Sequence, residues 1–229
     1  MPKLSVITCA YNERASIIQV LERLRAVDLG AWEKEIIVVD NCSTDGTREL
    51  LQQIKWPEAR LIFQPRNMGK AESIRTGFAQ ATGDYGVIQD ADFEYDPEDL
   101  PLFIRAVDET GAEAVFGSRT LGGRAIYRYA QNYLGVRGLT LLTNLLFGGR
   151  LTDVAVGTKL VRRDVFHQLN LRSAGFALDF ELPARLLKAR YRIAEVPISY
   201  HPRTEAEGKK IKPVDGLRAL WIIFQARFS

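Results

Sequence analysis

The sequence predicts an α/β protein with a doubly wound, mostly parallel sheet flanked by helices, folded as a single domain. Three observations predict it. Short apolar, β-branched runs alternate with amphipathic helical patterns over the first 120 residues, the signature of strand–helix–strand units. Polar clusters fall at the ends of those runs, where open α/β sheets bind ligands. The chain of 229 residues is long enough to bury one such core.

Residues 4–8 and 35–39 have the composition of strands covered on both faces, and residues 60–63, 85–88 and 114–116 continue the series. Between the first two, Ser16 precedes Ile17, Val20, Leu21 and Leu24, spaced for one apolar helix face. Thr44-Asp45 is read as opening a second helix through Leu50, Leu51 and Ile54. Asp96-Pro97-Glu98-Asp99 is a strong helix start, with a capping aspartate, a proline in the first turn and carboxylates at the positive helix end. The second half is less regular. A helix is expected over residues 179–189, a strand over 192–198 and a last helix over 213–228.

The net charge of +3 hides a polarised distribution: the stretch from Arg119 through Arg150 holds five arginines, those two included, and no acidic residue, while the first half holds most of the carboxylates. This suits a metal-and-donor site at one end and an anionic partner or membrane surface at the other. No nucleic-acid motif accompanies the charge, so nucleic acid is not expected as a partner. No G-x-G-x-x-G follows the first strand, which disfavours a dinucleotide-dependent oxidoreductase. Cys9 and Cys42 have no metal spacing and read as small buried hydrophobes in a reducing compartment. The start has no signal-peptide build. No apolar run reaches the roughly 18 to 20 residues that span a bilayer. A cytoplasmic protein, peripheral on the cytoplasmic face of a membrane, is therefore expected.

The chemistry concentrates at strand ends. Asp90-Ala91-Asp92 follows the fourth strand, where two carboxylates one residue apart can face a single cation. Mg²⁺ and Mn²⁺ take hard oxygen ligands and share them with substrate phosphates. Such a cation assists departure of a diphosphate by neutralising its charge. Glu94 is a further candidate ligand, whereas Asp96 reads as a turn residue. Asp40 closes the second strand and is expected to meet a base or ribose, because Ser43 or Asp45 is able to cap the following helix. Asn67-Met68-Gly69-Lys70 starts a helix whose free amides and lysine suit a phosphate.

Ala10-Tyr11-Asn12-Glu13, residues 39–47, Asn67-Met68-Gly69-Lys70 and Asp90-Ala91-Asp92-Phe93-Glu94 occur in this order. Together they resemble the family 2 glycosyltransferases, especially the dolichyl- or polyprenyl-phosphate mannosyl- and glucosyltransferase branch. The resemblance is strong over about the first 120 residues. It implies a GT-A fold, with residues 1–120 as a nucleotide-sugar half and 121–229 as an acceptor half. It also implies inverting transfer of a hexose from a GDP-mannose or UDP-glucose type of donor, dependent on Mg²⁺ or Mn²⁺. Asp90, Asp92 and Glu94 would then hold the metal, and Ala10, Tyr11, Glu13, Asp40, Gly69, Lys70, Asp90 and Ala91 the donor.

For the acceptor, Gly117-Ser118-Arg119 resembles the family segment whose arginine meets a lipid phosphate, and Arg128 is a second contact. Residues 152–159, with Asp153 and Lys159, resemble an acceptor-side D-x-x-x-G/C-x-K region. His201-Pro202-Arg203 with Gly208-Lys209-Lys210-Ile211 resembles a mobile basic loop, which places Arg203 and Lys210 on the acceptor side. Here Gly-Lys-Lys stands where mannosyltransferases commonly have Gly-x-Ser-Lys, so either donor type stays open. A lipid phosphate is already anionic and needs positioning more than a base. A sugar hydroxyl would need a base, for which Asp179 is the candidate unless it merely caps its helix. Asp92 and Asp179 are thus the catalytic candidates. A non-catalytic nucleotide-sugar-binding partner is the alternative from another class. Leu217, Leu220, Trp221 and Phe224 form a helical stripe expected to pack on the core, whereas residues 127–147 are the expected membrane contact.

Overall fold

The computed structural model describes residues 1–121, 130–203 and 213–228, and its first five strands are the apolar runs extended by a residue or two. In chain order the elements are β1 (Lys3–Ala10), α1 (Ile17–Ala26), β2 (Glu33–Asp40), α2 (Thr47–Gln52), β3 (Ala59–Phe63), α3 (Lys70–Gln80), β4 (Tyr85–Asp90) and α4 (Leu100–Thr110). They continue as β5 (Ala114–Ser118), α5 (Ala130–Phe147), β6 (Lys159–Arg162), α6 (Arg163–Gln168), α7 (Leu178–Lys188), β7 (Ile193–Pro197) and α8 (Pro213–Phe228). The seven-stranded sheet runs β3-β2-β1-β4-β6-β5-β7, and only β6 is antiparallel to its neighbours. This is the doubly wound, mostly parallel α/β architecture that the alternating pattern predicts.

Period-two alternation along each strand divides the core between two faces. Leu4, Val6, Ile36 and Val38 pack with Val20, Leu21 and Leu24 of α1 and with Phe103 and Ile104 of α4. Ile7, Ile37, Val39 and Ile88 pack on the other side with Ile74 and Phe78 of α3 and with Leu182 and Leu186 of α7. The order reverses between β1 and β4, so the crevice beyond their carboxyl ends is the switch point. Register brings Ala10 opposite Asp40, and Cys9 opposite Asp90. Three polar clusters far apart in sequence therefore meet.

Glu35 ties this frame together. Its carboxylate accepts from Ser5 Oγ at 2.5 Å and Thr82 N at 2.7 Å, and lies 3.1 Å from Lys3 Nζ. Burial pushes its pKa up, but these donors outweigh burial and hold it at about 2. The stability this contributes is present above the ordinary glutamate pKa and is lost as pH falls toward 2. Glu35→Gln is expected to cost about 1–2 kcal/mol at neutral pH, allowing for solvent screening. The loss should shrink below pH 4 in denaturant melts.

Several local expectations change. The second helix begins at Thr47, after a left-handed Gly46, and ends before Ile54. Asp96 caps the turn before α4 by accepting from Glu98 N, and also pairs with Arg23 at 2.5 Å, so it is more than a solvated turn residue. The cysteines are free and half-buried rather than core residues. In α8 the expected core stripe faces out: Leu217, Leu220, Trp221 and Phe224 are exposed, while Ala219, Ile223 and Ala226 are buried. Those smaller residues form a narrow face that allows close packing near Phe147 and Ala184. No helix among the described residues is long and apolar enough to cross a membrane.

Candidate active site

The loops after β1 and β2 are stitched into one wall. Asn12, at φ 55°, accepts from Thr44 N at 2.9 Å and donates its own amide to Ser43 Oγ at 3.0 Å. Glu13 N donates to Thr47 Oγ1 at 2.9 Å. Asn41 then joins the wall to the start of α3, accepting from Met68 N at 2.7 Å and donating to Asn67 Oδ1 at 3.0 Å. Gly69 precedes α3 at φ +84°, a conformation that favours glycine. The loops that follow β1 and β2 and the start of α3 are thus joined side by side.

Asp40 differs from its expected free state. It is fully buried, accepting from Ser43 N at 3.2 Å and pairing with Arg48 Nε at 2.6 Å. A buried carboxylate needs such partners, and Arg48 is the nearest cation on α2. Any base or ribose contact therefore involves the Asp40–Arg48 pair as a unit.

The Asp90-Ala91-Asp92 segment leaves β4 against α1, with Ser16 Oγ donating to Ala91 O at 2.9 Å instead of capping its own helix. Its two carboxylates face different cations. Asp90 Oδ1 is 2.9 Å from Lys70 Nζ, whereas Asp92 Oδ2 contacts the Arg203 guanidinium. Glu94 accepts from Arg203 N at 2.9 Å. Desolvation, with the nearby Asp90 charge, pushes the Asp92 pKa up to about 7, and Arg203 partly offsets it. Gly157 lets the chain close over this point, since a Cβ there would lie 2.6 Å from Asp90 Oδ2. Among the described residues no three His, Cys, Asp or Glu side chains form a metal cluster. Asp92 and Glu94 do converge on a positive group, so the donor set suits a cation of hard oxygen preference.

Asp179 is no helix cap. The residue at that position is Ala177, and Asp179, in the first turn of α7, points toward two lysines. Its carboxylate is 3.6 Å from Lys70 Nζ and 3.9 Å from Lys159 Nζ, and Oδ1 is buried without a hydrogen-bond partner. Burial alone would lower the Lys70 pKa, but Asp179 and Asp90 raise it well above the usual lysine range. Lys70 is thus engaged by carboxylates on both sides. The fully buried Lys159 donates to Val156 O, and desolvation lowers its pKa to about 8 despite Asp179. Its charge therefore opposes folding below pH 8, and this penalty is relieved as pH rises from 8 toward the ordinary lysine value. Lys159→Met is expected to keep the fold and to flatten the stability rise that the wild type shows between about pH 8 and 10, measured by denaturant melts.

Of the expected acceptor contacts, Arg119 and Asp153 bind each other. Arg119 Nε and Nη2 fork onto Asp153 at 2.6 and 2.9 Å, and both residues are buried. Burial raises the Asp153 pKa, but the guanidinium outweighs it and holds the carboxyl below its usual range. Asp153 is thus the partner that orients Arg119, a change from its expected place among the acceptor contacts. Arg119 also lies 5.0 Å over the Tyr200 ring. Arg203, expected among the acceptor contacts, stands instead with Glu13, Asp92 and Glu94. Arg128 and Lys210 lie outside the described residues.

Sequence reasoning missed Tyr95, whose hydroxyl accepts from Gly157 N at 3.1 Å and which packs on Tyr200 at 5.3 Å. It also missed β6, the four-residue strand that carries Lys159 inward. Neither has a local signal beyond the resemblance at residues 152–159.

The family model described as "Glycosyl transferase family 2" matches residues 5–169. The chain is 30% identical over 218 residues to a dolichol-phosphate mannosyltransferase of Pyrococcus furiosus, covering 90% of this chain and 59% of that protein. It is 29% identical over 225 residues to the low-salt glycan biosynthesis hexosyltransferase Agl6 of Haloferax volcanii, covering 95% and 52%. The chain therefore spans just over half the length of these two relatives. In fold it resembles glucosyl-3-phosphoglycerate synthase of Mycobacterium tuberculosis, solved with Mn²⁺, UDP-glucose and phosphoglyceric acid. The TM-score is 0.73 at 21% identity, covering 99% of this chain and 80% of that one. The same synthase solved with Mg²⁺ and UDP gives a TM-score of 0.71 at 20% identity, with coverage of 99% and 80%.

Proposed function

The chain belongs to glycosyl transferase family 2, and we propose that it moves a hexose, with inversion, from a GDP-mannose or UDP-glucose type of donor to a polyprenyl or dolichyl phosphate. That it is a glycosyltransferase with the GT-A fold follows from the family and from its solved neighbours. The observation that carries the finer reading is the gathering of Glu13, Asp90, Asp92, Lys70 and Asp179 beyond the carboxyl ends of β1 and β4, beside an arginine-rich half expected to take the acceptor. We read residues 1–229 as one domain, its first 120 residues serving the donor and the rest the acceptor.

In this reading Ala10, Tyr11, Glu13, the Asp40–Arg48 pair, Gly69 and Ala91 shape the nucleotide pocket. Asp90, Asp92 and Glu94 would hold Mg²⁺ or Mn²⁺, which when bound neutralises charge on the departing diphosphate. Lys70, held between Asp90 and Asp179, offsets part of their negative charge at the floor of the pocket. The acceptor phosphate oxygen attacks the anomeric carbon as the bond to the diphosphate breaks, and the nucleoside diphosphate leaves. No proton has to be removed from an anionic phosphate, so its positioning falls to arginines. The dolichol-phosphate mannosyltransferase relative supports this acceptor.

A second reading has Asp179 as the base for a sugar hydroxyl, favoured by its place inside the site rather than at a cap. The deciding experiment is a donor screen with GDP-mannose, UDP-glucose and UDP-N-acetylglucosamine, with Mg²⁺ or Mn²⁺ and a short polyprenyl phosphate. Transfer to the lipid phosphate supports the first reading; transfer only to saccharides replaces it with the second.

We place the protein at the cytoplasmic face of a membrane. Leu134, Leu141 and Leu145 of α5 and Leu217, Trp221 and Phe224 of α8 are exposed, a composition suited to the headgroup zone. Trp221→Glu is expected to reduce co-sedimentation with acidic liposomes at low salt by several-fold. Equal sedimentation of both proteins would argue against this surface.

A further inference from the structure

Arg203 bridges the loops that follow β1 and β4. Its Nη1 lies 3.1 Å from Glu13 Oε2, beyond β1, and its Nη2 contacts Asp92 Oδ2, beyond β4. Its backbone amide donates to Glu94 Oε1 at 2.9 Å, and His201 N donates to Glu94 O at 2.9 Å. The residue is thus pinned through both backbone and side chain. Yet Arg203 Nε is buried with no hydrogen-bond partner, and Glu94 Oε1 is 4.0 Å from it. A site shaped for a guanidinium would satisfy its whole fork. This one supplies negative charge on several sides and leaves part of the fork unmade. Asp90, the other carboxylate of the segment, is meanwhile held by Lys70.

We infer that Arg203 is a built-in counter-cation which occupies the divalent cation's place at Asp92 and Glu94, so that the metal and Arg203 exclude one another. This inference rests on the reading of Asp90-Ala91-Asp92 as the metal-holding segment. The exclusion is electrostatic: a guanidinium and a divalent ion sharing one carboxylate repel strongly at a water-poor site. Before metal binds, Arg203 keeps three buried or half-buried carboxylates compatible with each other. When metal enters, the guanidinium leaves Asp92, and the backbone bond to Glu94 breaks as that side chain turns to the ion. Metal loading and release of Arg203 are therefore one exchange, so the arginine becomes available for an anion only once the metal is held.

The test measures Mn²⁺ alone, without nucleotide, from the loss of the free-ion electron paramagnetic resonance signal. Arg203→Ala is expected to bind Mn²⁺ about ten-fold or more tightly than the wild type, as removal of a close competing charge implies, and adding Asp92→Asn should abolish the gain. If Mn²⁺ binds both proteins equally, or the variant more weakly, and Asp92→Asn still weakens it, the competition is wrong while the metal reading stands. If neither protein binds Mn²⁺ in a way that depends on Asp92, both fall. Hydrogen exchange on the unaltered chain gives a second readout that needs no Arg203 variant. Mn²⁺ should speed exchange of the Arg203 amide in the wild type and leave it unchanged in Asp92→Asn. Unchanged or slower exchange in the wild type overturns the inference.

Discussion

Asp92→Asn is expected to lower hexose transfer by roughly a thousand-fold, about 4 kcal/mol of lost stabilisation of the departing diphosphate, while the protein stays folded. The amide is nearly isosteric and leaves Glu13 and Glu94 with Arg203. Stability should not suffer at neutral pH, and the sign follows from the raised pKa. A carboxyl pushed up to about 7 by burial favours the folded state only while protonated. The wild type therefore loses stability as pH rises from the ordinary aspartate range toward 7, whereas the asparagine variant is spared that loss. Initial-rate assays paired with thermal melts at pH 5 and 8 make the comparison. Turnover equal to the wild type would remove Asp92 from the metal assignment.

Arg119→Ala is expected to act on the fold first. Removing one member of a buried, forked ion pair leaves the other charge uncompensated, at a cost of about 3–5 kcal/mol. For a chain of this size that corresponds to a melting temperature lower by roughly 10 °C. Asp153→Ala should cost a similar amount, and the double replacement should recover part of the loss because no orphaned charge remains. Circular dichroism melts of the three variants form the cycle. Additive losses would mean that the pair in the structure is not coupled. Arg119→Lys, which keeps charge and loses the fork, is the variant suited to probing acceptor phosphate.

The relation between these residues and the sequence explains what was readable. The strands, α1 and α8 were legible because their signals are local: period two, period 3.6 and apolar runs between turn residues. The polar clusters were legible as clusters because each follows such a strand. β6 was not, since four residues inserted antiparallel between β4 and β5 have no periodicity of their own. The outward face of α8 was misread for a related reason. The helix is apolar on both sides, and periodicity does not say which side is buried. Packing chose the face of Ala219, Ile223 and Ala226, where small side chains allow close approach.

By itself the sequence determined the fold class, the glycosyltransferase family and the clusters that border the crevice, because those are encoded in order and spacing along the chain. Only the tertiary structure decided which charge meets which. Asp40 is held by Arg48, Asp90 by Lys70, Asp92 by Arg203 and Asp153 by Arg119. Except for Asp40 with Arg48, each pair joins residues far apart in the chain, and a buried carboxylate takes whichever cation the fold carries to it. The physical reason is that desolvation makes pairing compulsory, while the partner's identity depends on the close approach of loops that no local pattern records.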